Sequence, residues 1–188
     1  MYFIMDKPRH YYKNTYHHLY NIGADKTLIF YESQNYLYFL RKMKFYSDKY
    51  KIKILSHCLM PNHFHIFLKQ TTDELSISLF ISSLLNSYVK SINKKYEHSG
   101  TLFEGKTKSK HIEDESYFVW IIKYILENPV KANLADSICD WDFSNAKDLI
   151  GLREGNLTDI KYVESFFQSR ESMIEFLMDK KIKVPYEF

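Results

Sequence analysis

His63 and His65, one residue apart in the run Met60-Pro61-Asn62-His63-Phe64-His65, are the side chains of this chain best suited to grip one metal ion. Side chains alternate faces along a strand, so the two imidazoles point one way while Phe64, Ile66 and Leu68 point into a core. Imidazole nitrogen is a common metal ligand. The same spacing also suits two polar residues on a solvent-facing strand, and spacing alone leaves both readings open. Tyr124 and Asn128 form a second constellation. Four residues apart, they share one face of a helix. A phenol titrates near ~10, so it attacks at neutral pH only when a metal or base assists it. Tyr117 lies on much the same face, and Glu127 is a better ligand than Asn128 for a hard cation. Lys106, Lys108 and Lys110 are spaced by two. In an extended segment they would follow a phosphate chain, or protect a sheet edge from aggregation. Lys90, with Lys94 and Lys95, offers a further candidate DNA contact on a helix that otherwise reads as solvated charge. Tyr11, Tyr12 and Tyr16, interleaved with Arg9 and Lys13, could stack on unpaired bases. His10, His17 and His18 find no partner in the sequence and read as surface residues.

The elements that must position these groups follow from periodicity. Residues 15–22 and 27–31 look extended around the turn signal Gly23-Ala24-Asp25. From Ser33, a candidate cap, Tyr36, Phe39, Leu40, Met43 and Tyr46 recur at helical spacing. Residues 51–59 and 63–69 read as a hairpin around Pro61-Asn62. A long helix follows at about 74–94, with Ile81, Leu84, Leu85, Tyr88 and Ile92 as its buried stripe. Residues 107–112 suit a short strand. Residues 115–128 suit a helix that stops at Pro129, because the residue before a proline avoids helical angles. A final helix is expected over about 159–181. The order strand, helix, strand, strand, helix, strand, helix predicts an α+β fold of the split β-α-β, ferredoxin-like kind.

The bulk composition narrows the function classes. The 188 residues are 45% hydrophobic and 17% aromatic, which is globular. The net charge is only +3, so nucleic-acid binding must rest on where the lysines sit. The opening Met-Tyr-Phe-Ile-Met is too short for a signal-peptide core, and no apolar run nears the roughly 20 residues that span a membrane. Cys58 and Cys139 alone suit a reducing cytoplasm rather than a disulfide framework.

The Met-Pro-Asn-His-Phe-His block resembles the His-hydrophobic-His motif of the single-tyrosine, HUH-type transposases of small insertion sequences. Further pieces follow in the family's order: Gly100-Thr101-Leu102-Phe103-Glu104-Gly105-Lys106, Asp114-Glu115-Ser116-Tyr117, Tyr124-Ile125-Leu126-Glu127-Asn128-Pro129-Val130-Lys131-Ala132, and Trp141-Asp142-Phe143-Ser144. Together they are most similar to the REP-associated tyrosine transposases, over about residues 12 to 150. The resemblance implies that residues 1–150 form the transposase domain, while Val163, Phe166, Phe167, Ile174 and Leu177 make 151–188 read as a helical extension packed on it. It implies His63 and His65 as metal ligands, Asn128 as the third, Tyr124 as the nucleophile, and Mg²⁺ or Mn²⁺ as the ion. Two imidazoles are soft for Mg²⁺, which favours Mn²⁺ in vitro. The implied reaction cuts single-stranded, hairpin-containing DNA through a 5′-phosphotyrosine link and a free 3′-hydroxyl, then rejoins it. A monomer and a homodimer are both compatible with the chain. Two rivals stand beside this reading. One is a non-catalytic hairpin binder of the same descent. The other is a zinc hydrolase built on His63 and His65, against which no H-E-x-x-H helix or zinc-spaced cysteine pair is present.

Overall fold

The computed structural model describes residues 12–73 and 76–185. Four strands and two long helices alternate through its first part: β1 (Tyr16–Ile22), α1 (Ser33–Lys49), β2 (Ile52–Met60), β3 (His63–Gln70), α2 (Ser76–Lys95) and β4 (Lys108–Ile112). They are followed by α3 (Phe118–Lys131), α4 (Ala146–Ile150), α5 (Ile160–Glu164) and α6 (Arg170–Met178). The sheet order is β2-β3-β1-β4, and every neighbouring pair is antiparallel. This is the ferredoxin-like arrangement that the element order predicts.

Each face of the sheet has its own core. Leu19, Phe64, Ile66 and Leu68 pack against Phe39 and Met43 of α1 and Phe80, Leu84 and Tyr88 of α2. On the opposite face Cys58, Met60 and Phe67 pack against Phe118, Ile121, Ile122, Ile125 and Leu126 of α3. These five α3 side chains are fully buried. Each contributes about 2 kcal/mol relative to solvent exposure, enough to hold the helix on the sheet. The second core also takes Val163 of α5 and Met173 and Leu177 of α6. The C-terminal segment thus packs on the domain, against the helix that carries Tyr124.

Lys123 makes that attachment specific. Its side chain is nearly inaccessible, and Nζ donates to the carbonyl oxygens of Phe176 at 3.1 Å, Leu177 at 3.2 Å and Asp179 at 2.9 Å. It also pairs with Glu127 at 3.1 Å. The ammonium therefore caps the carbonyl end of α6, where the helix dipole favours a cation. Lys123→Met keeps the stem but leaves three carbonyls without this donor and the half-buried Glu127 carboxylate with Lys131 alone. It is expected to cost about 3–5 kcal/mol in urea unfolding; a change below about 1 kcal/mol would show that the clamp is dispensable.

Several elements differ from the sequence expectation. Residues 27–31 form no strand. Instead Ile29 and Phe30 both donate their backbone N–H to the Pro61 carbonyl, at 2.8 and 3.0 Å, which lays the segment over the β2–β3 turn. The cap of α1 is Glu32, not Ser33; it forms a capping box with Asn35. One C-terminal helix becomes two, because Ser169 caps α6 afresh through a box with Ser172. Helix α3 runs through Pro129 to Lys131, for a reason that lies in the site. His17 and His18 are buried rather than on the surface, since β1 is an inner strand flanked by β3 and β4. Tyr16 is buried too, its ring 4.2 Å from that of Phe118, so it cannot stack on a base. His10, Arg9 and Tyr11 lie outside the described residues.

Candidate active site

His63 and His65 open β3 on the face covered by α3. Phe64, Ile66 and Leu68 fill the opposite core, as alternation requires. The histidine face is not open to solvent along its length. His65 is 6% exposed, and only the two ends of that face, His63 and Lys69, are half-buried. Tyr20 stands opposite His65, and Ile22 opposite His63, across the β1–β3 ladder.

Each of the two rings is held at Nδ1. The Nδ1 of His63 lies 2.7 Å from Oδ1 of Asn62. Asn62 is oriented in turn by donating Nδ2 to the Lys26 carbonyl at 3.3 Å. Its backbone carbonyl accepts from Gly23 N at 2.8 Å, and a Cβ on Gly23 would sit 2.2 Å from the Thr27 carbonyl oxygen, so only glycine permits this join. The Nδ1 of His65 lies 2.9 Å from Nε2 of His18. With Nδ1 engaged, each ring turns Nε2 away from its partner, the arrangement second-shell partners impose on metal-binding imidazoles.

Asn128 explains why α3 survives its proline. Pro129 has no N–H, so the Ile125 carbonyl loses its helical donor. The Asn128 side chain replaces it, donating Nδ2 to Tyr124 O at 2.9 Å and to Ile125 O at 3.4 Å. Two carbonyl acceptors demand the amide nitrogen, which leaves Oδ1 as the atom that can accept from His63. Asn128 also hydrogen-bonds His63; burial lowers the His63 pKa and this bond partly offsets it. One amide thus repairs the helix and joins the histidine pair.

Tyr124, one turn earlier, meets the same cluster. Its ring centroid is 5.7 Å from that of His65 and 6.1 Å from that of His18, both edge-on. Lys131 Nζ lies 5.1 Å from the centre of the Tyr124 ring. Tyr117 caps the first turn of α3 and packs, half-buried, against the second core. Glu127 is turned to the other side, into ion pairs with Lys123 and Lys131.

The electrostatics keep the site's imidazoles neutral. Burial pushes His18 down to about 3, helped by the Lys110 ammonium. Burial also holds His65 well below the usual range, with His18 and His63 adding to the effect. A neutral imidazole has a lone pair to offer a cation. The available donors are therefore two imidazole nitrogens and one amide oxygen, a set that fits a divalent ion left with open positions for phosphate or water. Among the described residues no three His, Cys, Asp or Glu side chains converge into a closed metal site.

The lysines divide. Lys108 and Lys110 stand on β4 opposite Tyr20 and His18, exposed along the edge of the histidine face. Lys106 precedes the strand, which starts only at Lys108, so it lies in the bend after Gly105 rather than in line with the other two. Lys90 sits on α2, which packs on the opposite face of the sheet, and is not brought to the site. A cavity of about 270 Å³ beside the histidines is lined by Tyr20, Glu104 and Lys108. A larger one of about 380 Å³ lies between α3 and the segment after α6, and touches no histidine.

His18, Asn62 and Tyr20 are the site residues that sequence reasoning passed over. Asn62 was visible only as a turn residue. His18 and Tyr20 alternate with Leu19, a strand pattern, but nothing in it says which strand they pair with.

The sequence and the fold are both similar to those of known proteins. A REP-associated tyrosine transposase of Haemophilus influenzae is 21% identical over 108 residues, which is 52% of this chain and 61% of that protein. The match thus spans about three-fifths of that curated relative's length. The solved structure of a REP-associated tyrosine transposase bound to a REP hairpin superposes with a TM-score of 0.64 at 18% identity, covering 82% of this chain and 94% of the other. Residues 11–128 match the family described as IS200-like transposases, a span holding all four strands, both histidines, Tyr124 and Asn128. The chain belongs to the IS200-like transposase family.

Proposed function

We propose that the protein is a metal-dependent single-stranded DNA strand transferase that works through Tyr124 on strands carrying a hairpin. The observation that carries this reading is the convergence of Tyr124 and Asn128, from one helix, on His63 and His65, from one strand. The hairpin enters by analogy with the solved relative, which was bound to one.

His63, His65 and Asn128 would hold Mg²⁺ or Mn²⁺, which when bound stabilises negative charge building on the scissile phosphate. The Tyr124 oxygen attacks phosphorus and loses its proton. The bond from phosphorus to the 3′ oxygen breaks, and that oxygen takes up a proton as a free 3′-hydroxyl. The strand's 5′ side stays joined to Tyr124 as a phosphodiester. One P–O bond has replaced another, so a second 3′-hydroxyl can reverse the step and rejoin a different strand. Lys108 and Lys110 are placed to run along the backbone, with Lys106 at the near end. Tyr20, half-buried beside Lys108, offers a ring beside the scissile position.

The test is a labelled single strand with a hairpin, incubated with Mn²⁺ or Mg²⁺. His63→Ala with His65→Ala is expected to abolish cleavage while hairpin affinity stays within a few-fold, since binding rests on lysines and stacking. Normal cutting by the double variant would make the histidines structural. Hairpin binding by the parent with no cutting under either metal would leave a binding protein.

A further inference from the structure

A third histidine stands behind the pair. His18 lies on β1 and is fully buried, and its Nε2 is 2.9 Å from His65 Nδ1. The ring centroids are 5.1 Å apart with 22° between the planes, the nearly coplanar edge-to-edge arrangement that an N–H···N bond requires. His18 cannot itself be a ligand through Nε2, because that nitrogen is spent on His65.

We propose that His18 is a positioning residue that accepts the Nδ1–H of His65 and so holds the His65 Nε2 lone pair toward a bound cation. This rests on the metal reading of His63 and His65 above. A neutral imidazole carries one N–H. The contact between the two rings needs one donor and one acceptor, so only two arrangements exist. With the proton on His65 Nδ1, His65 Nε2 is a lone pair and can bind an ion. With the proton on His18 Nε2, His65 carries its own proton on Nε2 and faces the site with an N–H that repels a cation.

The surroundings point to function rather than to packing. The remaining nitrogen of His18, Nδ1, is buried and has no hydrogen-bond partner among the described residues. A buried polar atom without a partner costs stability, and an apolar side chain of similar volume would remove that cost. A local rule broken in this way is expected at functional sites. His57 also has an orphaned Nδ1, so the orphan alone decides nothing. What separates His18 is that its other nitrogen touches a residue of the site. Asn62 stands in the same relation to His63, so both candidate ligands are backed at Nδ1.

The experiment uses the full chain and its His18→Leu and His18→Gln variants. Mn²⁺ affinity is read from the electron paramagnetic resonance signal of the free ion, and thermal unfolding is followed without metal. Leucine should weaken Mn²⁺ binding roughly ten- to hundredfold, the usual effect of losing an outer-shell partner. At the same time it should leave Tm unchanged or higher. Glutamine, whose Oε1 can accept from His65, should keep affinity within a few-fold of the parent. Parental Mn²⁺ affinity in the leucine variant overturns the proposal, as does a loss that glutamine fails to restore or that comes with a lower Tm. If the parent binds Mn²⁺ no better than His63→Ala with His65→Ala, the metal reading fails and the role of His18 with it.

Discussion

A Tyr124→Phe protein is expected to bind a hairpin-bearing strand as the parent does and to leave no covalent protein–DNA adduct, while Tyr117→Phe still forms one. The change removes one oxygen from a ring whose position is set by α3. Helix, core and lysines are untouched. The two tyrosines are seven residues apart, which places them about 10 Å apart along the axis at ~1.5 Å per residue. Tyr124 lies against His65 and beside Asn128; Tyr117 sits at the far end of the helix, against the second core. Only one of them can reach a phosphate held near the histidines. Removing a nucleophile costs roughly 10⁴-fold or more in rate. On a denaturing gel with labelled DNA the shifted band should vanish for Tyr124→Phe. Its loss in the Tyr117 variant, with retention in the Tyr124 variant, would move the nucleophile to Tyr117.

Acid should unfold this protein early. Burial lowers His17, His18 and His57 to about 3 each, the first also through His111, the second through Lys110 and the third through Arg153. In the unfolded chain each titrates near ~6.5. A base with a depressed folded pKa is protonated first in the unfolded state. Its contribution is complete above ~6.5 and is lost as pH falls from there toward 3. At pH 5 each histidine has given up about 2 kcal/mol, and the three together about 6 kcal/mol. That is much of the 5–15 kcal/mol typical of a domain. Most carboxylates titrate near ~4, so the loss at pH 5 belongs to the histidines. Urea unfolding of metal-free protein at pH 7.5 and pH 5.0 measures it directly. Equal free energies at the two values would mean that these rings are hydrated or paired in solution.

Much of the architecture was legible because it is local. Alternation along residues 63–69 places His63 and His65 on one face and Phe64, Ile66 and Leu68 in the core, and the strand has that arrangement. The 3.6-residue stripes of α1 and α2 and the order of elements led to the ferredoxin-like sheet. The misreadings have local causes of another kind. Pro129 ends a helix on backbone grounds alone, but a side chain one residue earlier supplies the missing donor. One apolar pattern over the C-terminal segment suggested one helix, whereas a Ser169–Ser172 box restarts the chain.

The residue types and their order therefore determined by themselves the family, the fold class, and the pair His63–His65, which lies within one element whose period is known. Helical spacing put Tyr124 and Asn128 on one face but left Tyr117 and Glu127 beside them as alternatives, and only the resemblance chose between them. What only the tertiary structure decided is how the elements meet. The pairing of β1 with β3 buries His18 against His65, although 47 positions separate them. The docking of α3 across the sheet carries Asn128 to His63 and turns Tyr124, not Tyr117, to the histidines. The split of helices between the two faces takes Lys90 away from Lys108 and Lys110. Strand register and the face a helix covers arise from contacts between residues far apart in the chain. A single sequence carries those contacts only as the sum of many burials, and no short spacing within it spells them out.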